Sequence, residues 1–118
     1  MSFYKRLKSF HYAFKGLQDL VRNQPNARIH LLFAVSVIFA GLYFQISRPE
    51  WLAVTICIFM VISLEAVNTA LEYLTDLVSP EYHPLAGKVK DAAAAAVLIA
   101  AIGAAIVGLM IFVPKIMN

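Results

Sequence analysis

Only one cysteine occurs among the 118 residues, which excludes a disulfide framework and a cysteine metal site within one chain. That residue, Cys57, sits in the apolar run from Val54 to Leu64 and reads as packing. Charge is scarce too. Asp, Glu, Lys and Arg make up 14% of the chain while 61% is hydrophobic; soluble domains carry about 25% and roughly 45–50%. A soluble domain this short could not hide so much apolar surface, so lipid must cover much of it. The first 28 residues carry charges throughout and lack an apolar core and a small-residue cleavage site, so no removable secretory leader is expected. Phosphate-binding loops of the soluble kind are missing as well. Gly87-Lys88 has neither the upstream glycine nor the following Ser or Thr of a P-loop. His11, His30 and His83 do not fall at metal-ligand spacing, and each reads as a hydrogen-bonding interfacial residue.

What is present is long apolar segments with patterned polar residues. Ser2 to Arg22 reads as an amphipathic helix. Phe3, Leu7, Phe10, Phe14, Leu17 and Val21 recur at steps of three and four on one face. Lys5, Lys8, Tyr12, Lys15, Asp19 and Arg22 recur at the same steps on another, a pattern suited to the membrane interface. Asn23-Gln24-Pro25-Asn26 should break that helix. The first span is expected over 29–46, the second over 51–78 with Trp51 as its interfacial anchor, and the third over 88–113, ending at Pro114-Lys115. The whole chain, 1–118, is expected to be one domain, an all-α membrane protein. In the third span Ala92, Ala96, Ala100, Ala104 and Gly108 are spaced four apart, a small-residue stripe that suits tight helix packing. Three helices make a thin wall around a polar site, so a homo-oligomer is expected.

Lys5, Arg6, Lys8, Lys15, Arg22, Arg28, Lys88 and Lys90 fall on one side of this topology, and Arg48 and Lys115 on the other. By the positive-inside rule, the N-terminal helix and the connection from Ser79 to Asp91 should face the cytoplasm. Glu65, Asn68, Glu72 and Asp76 step by three, four and four along one face of the second span. A carboxylate at membrane depth costs a few kcal/mol, about 2.5–3.5 on insertion scales, and usually faces a protein interior or a water-filled cavity. The alternatives are that Glu72 and Asp76 have already reached the headgroups and are merely solvated, and that Glu65 makes a structural bond between helices. Lys88, Lys90 and Asp91 open the third span at the same end. Asp91 suits a helix N-terminus as a cap, and the two lysines could be topology signals alone. Cations, carboxylates and a helix N-terminus at one interface would suit metal-bound phosphate.

The segment Glu65-Ala66-Val67-Asn68-Thr69-Ala70-Leu71-Glu72, followed by Asp76, resembles the signature of the bacterial membrane diacylglycerol kinase and undecaprenol kinase family. The run from Glu81 to Asp91 into Ala94-Ala95-Ala96-Val97-Leu98 resembles its second block, and Tyr12-Ala13-Phe14-Lys15-Gly16-Leu17 also fits. The resemblance implies a homotrimer of three-span subunits in the bacterial inner membrane. It also implies ATP with Mg²⁺ as phosphoryl donor and a membrane lipid alcohol as acceptor. By position, Glu65 resembles the catalytic base and Asn68 its polar support. Glu72 resembles a metal-binding carboxylate. Lys5, Lys8, Tyr12, Lys15, Asp76, Lys90 and Asp91 resemble the nucleotide-side residues. Gln24 stands where the family usually has a second metal-binding glutamate, so an amide oxygen replaces a charge toward Mg²⁺. Asn26-Ala27-Arg28-Ile29-His30 is more similar to the undecaprenol branch, which favours undecaprenol over diacylglycerol as acceptor. A weakly active or inactive family member, and a small transporter or structural oligomer, are the competing readings. Transporters also keep carboxylates in their spans.

Overall fold

The computed structural model describes residues 2–118. These form four α-helices: α1 (Phe3–Asn23), α2 (Pro25–Phe44), α3 (Arg48–Val78) and α4 (Pro84–Ile116). Three of them, α2, α3 and α4, are long and apolar enough to cross a membrane. The longest contact is the hairpin of α3 and α4, with α2 laid on α3 and α1 touching α2 and α3.

Local chemistry sets the helix ends. The Ser2 hydroxyl accepts from the Lys5 N–H at 3.2 Å and caps α1. Between α1 and α2 only Gln24 leaves the helical conformation, at φ −116° and ψ 102°. The following Pro25 forces that choice, because its ring disfavours helical backbone in the residue before it, while its own φ suits the first helical position. The expected break is thus one residue long, and α2 starts at Pro25 rather than at 29. The Arg28 guanidinium bridges back across the joint, donating to the Val21 and Arg22 carbonyls at 3.1 and 2.8 Å.

At the far end of α2, Gln45 adopts a left-handed conformation (φ 51°) and the Ile46 N–H returns to the Gly41 carbonyl at 3.1 Å. Ser47 and Glu50 then form a reciprocal capping box that starts α3. Trp51 lies against Gly41 so closely that a Cβ there would meet its ring at 2.6 Å. Ile46, Val54 and Ile111 form a small buried cluster beside this corner. The Glu50 carboxylate accepts from the Lys115 ammonium at 3.0 Å, tying the start of α3 to the end of α4.

α4 is longer than the expected 88–113 at both ends. Pro84 fits its first turn, where no intrahelical N–H bond is lost, whereas Pro114 lies inside the helix near its end and has no N–H to offer the Met110 carbonyl. Within one chain the buried positions on α4 are Ala93, Val97 and Ile111, whereas Ala104 and Gly108 of the small-residue stripe line a groove.

Candidate active site

Measured from Trp51 at about 1.5 Å per residue, Glu65 lies about 21 Å along α3, Glu72 about 32 Å and Asp76 about 38 Å. A hydrocarbon core is about 30 Å thick. Glu65 is therefore intramembrane, Glu72 sits at the boundary, and Asp76 stands beyond it. The helix is continuous through all three, because Leu, Ala and Glu around them are good helix formers. Thr69 and Thr75 return their hydroxyls to the Glu65 and Leu71 carbonyls at 3.0 and 2.6 Å.

Glu65 is only 2% exposed, with Asn68 and Thr69 the other buried polar residues. Its carboxylate Oε2 lies 3.5 Å from Nε2 of His30 on α2. Asn68 donates through Nδ2 to Glu72 Oε1 at 3.3 Å. That contact fixes the amide orientation, since a carboxylate can only accept. The Asn68 Oδ1 is consequently turned away from Glu72, and it is buried with no hydrogen-bond partner among the described residues. Orphaned buried oxygens are uncommon and call for a donor. Glu65, Asn68, His30 and Asn26 line one pocket of about 210 Å³, closed on the α4 side by Ala94, Val97 and Ala101. His30 and Ala101 also line an apolar groove of about 360 Å³ that runs on past Phe33, Val54, Ile58 and Gly108. A polar pocket with a buried carboxylate thus lies beside a groove suited to an apolar chain.

Farther out, Lys90 of α4 donates to Asp76 Oδ1 at 2.6 Å, with both side chains substantially exposed. Glu72 lies near enough to Lys90 to act on it electrostatically. Asp91 is exposed in the second turn of α4; the capping position belongs to His83, whose Nδ1 accepts from the Leu85 N–H at 3.1 Å. Gln24 faces the hydroxyl of Tyr73, the neighbour of Glu72, and that hydroxyl also donates to Asp19 at 2.8 Å. Lys5, Lys8, Tyr12 and Lys15 are exposed on α1 and make no ion pair or side-chain hydrogen bond with α3 or α4 among the described residues. The chain thus gathers Glu65, Asn68, Glu72, Asp76, Lys90 and Gln24 along the α3 flank, and leaves the α1 residues apart. Sequence reasoning missed His30 as a neighbour of Glu65, and Asp19 and Tyr73 as the tie between α1 and α3. A histidine inside an apolar span was the one local signal for the first; the second had none.

For Mg²⁺, no group of three His, Cys, Asp or Glu side chains converges among the described residues. Such a group is not required. Mg²⁺ is commonly held by one or two carboxylates, with phosphate oxygens and water completing its shell. Glu72, steadied by the Asn68 amide N–H, fits an ion that arrives with a nucleotide.

An intramembrane carboxylate at the head of an apolar groove defines a membrane protein equipped to act on a lipid headgroup. Residues 11–112 match the family model of prokaryotic diacylglycerol kinase, and the chain belongs to that lipid kinase family. It is 39% identical to the undecaprenol kinase of Bacillus subtilis, over 92% of this chain and 89% of that one. It is 44% identical to a diacylglycerol kinase of Synechocystis, over 95% of this chain but 65% of the longer relative. With the diacylglycerol kinase of Escherichia coli it shares 29% over 88% of its length and 85% of the relative's.

Proposed function

We propose that this protein transfers the terminal phosphate of ATP to the hydroxyl of a membrane polyprenol, with Glu65 as the general base. The observation that carries the reading is that the Glu65 pocket and the apolar groove are neighbours, with His30 and Ala101 lining both. A lipid alcohol placed there has its chain among apolar side chains and its hydroxyl beside a carboxylate and an unpartnered amide oxygen. Glu65 takes the hydroxyl proton as that oxygen attacks the terminal phosphorus of ATP. The bond to the bridging oxygen breaks, ADP leaves, and the lipid departs as its monophosphate. The proton on Glu65 is then returned to water.

Asn68 positions the hydroxyl through Oδ1 and steadies Glu72 through Nδ2. Glu72 and the Gln24 amide are the groups that would hold Mg²⁺, which when bound offsets negative charge on the phosphates. Lys90, Asp76 and Asp91 meet the nucleotide, with Lys90 kept in place by Asp76. Lys5, Lys8, Tyr12 and Lys15 complete the nucleotide side from an α1 that lies in the membrane interface. Their want of any ion pair or side-chain hydrogen bond to α3 or α4 among the described residues favours a homotrimer, in which a neighbouring subunit supplies them. The cation distribution favours a cytoplasmic α1 and active site in the bacterial inner membrane. Undecaprenol is favoured over diacylglycerol because Asn26 and His30, from the segment most similar to the undecaprenol branch, both line the pocket.

The test is reconstitution in lipid vesicles with labelled ATP, Mg²⁺ and either undecaprenol or diacylglycerol. Labelled polyprenyl phosphate in excess of phosphatidic acid is expected. Label in neither lipid would end the kinase reading, and a preference for diacylglycerol would reverse the substrate.

A further inference from the structure

The Glu65 carboxylate poses a problem that the kinase reading leaves open. It is buried, and a carboxylate that nothing holds can turn among its rotamers. A general base must keep one oxygen aimed at the substrate hydroxyl. Among the described residues, His30 is the only side chain within ion-pair or hydrogen-bond distance of that carboxylate. We propose that His30 is the positioning residue for Glu65: its Nε2–H holds Oε2, so that Oε1 is left aimed at the incoming hydroxyl. This rests on Glu65 being the base.

The fold prepares the contact. α2 packs on α3, and Ala27, one turn before His30, is 2% exposed. The His30 side chain is itself 22% exposed against 3% for Glu65, so it reaches inward from the rim of the pocket. It lines both the polar pocket and the apolar groove, which puts it between the carboxylate and an apolar chain in the proposed lipid pose. The 3.5 Å separation is longer than a good hydrogen bond, as such contacts often are before substrate closes the site. Holding one carboxylate oxygen is enough to orient the other, and orientation errors of about 1 Å can cost on the order of 10²-fold in rate.

The amide nitrogen of glutamine falls near the Nε2 position of histidine, whereas that of asparagine falls near Nδ1 and cannot reach Glu65. His30→Gln and His30→Asn are therefore a matched pair of neutral, polar variants. In vesicles with undecaprenol, His30→Asn is expected to lower kcat about tenfold or more, with the KM for ATP and the binding of a nonhydrolysable ATP analogue unchanged. His30→Gln should recover most of the lost kcat. In a Glu65→Gln background, His30→Asn should cause no further loss, because the two act as one unit. Equal activity of both variants and the wild type, equal loss in both, or full additivity with Glu65→Gln would each overturn the assignment while leaving the kinase reading intact. A wild-type protein that labels no lipid alcohol would overturn both.

Discussion

The two ends of the α3–α4 hairpin carry the same kind of cross-link and differ in nearly everything else. At one end Glu50 meets Lys115 across 65 residues of sequence, with both side chains about three-quarters covered. Glu50 also completes the Ser47 capping box, and Trp51, Ile46 and Ile111 pack alongside. Ser47, Glu50 and Lys115 each have a partner there. At the other end Asp76 meets Lys90 in the open, Asn68 keeps an orphaned oxygen, and a buried Glu65 relies on a long contact to a histidine. The first end is arranged for stability. The second carries unmet polar capacity, which natural proteins tolerate chiefly where a ligand will meet it.

Substitutions at the two ends should therefore separate rate from stability. The largest effect is expected from Glu65→Gln. Lipid phosphorylation should fall on the order of 10²–10⁴-fold, the usual worth of a general base, while thermal unfolding stays the same or moves to higher temperature. Loss of folding together with rate would make Glu65 a structural residue. Gly41→Ala should do the reverse at the other end. Its new methyl would crowd the Trp51 ring, at a cost of about 1–3 kcal/mol in stability measured by unfolding in detergent. Activity per folded molecule should be retained; a specific loss of activity would mean that this corner communicates with the site. The mildest comparison is Glu50→Gln against Asp76→Asn. The first should lower Tm by roughly a few degrees with KM for ATP unchanged. The second should leave Tm within about a degree, since exposed ion pairs contribute little, and raise the KM for ATP several-fold. Identical behaviour of the two would erase the distinction between the ends.

Much of this contrast was legible in the sequence, because the relevant signals are local. The run of apolar residues gave the spans, and the three-four-four spacing of Glu65, Asn68, Glu72 and Asp76 placed them on one face before any coordinates. Helix limits were less legible around prolines. Pro25 and Pro84 look like breaks in a string of letters, yet a first turn accepts proline, and α4 runs on past Pro114 to Ile116. The partner of Glu65 was not legible at all. His30 lies 35 positions earlier in the chain, and only the lateral packing of α2 on α3 brings it near. The face of α4 that packs within the chain was not legible either: Ala93 and Val97 turn inward, beside the small-residue stripe.

The joint at Gln24 has a mechanical consequence. One residue separates α1 from α2, and the Arg28 guanidinium clamps the end of α1 across that gap while Tyr73 grips Asp19 from α3. A connection so short and so braced has little freedom to swivel. Tilting the first span in a thinner or thicker bilayer would therefore swing the basic helix with it, as a door carries its handle.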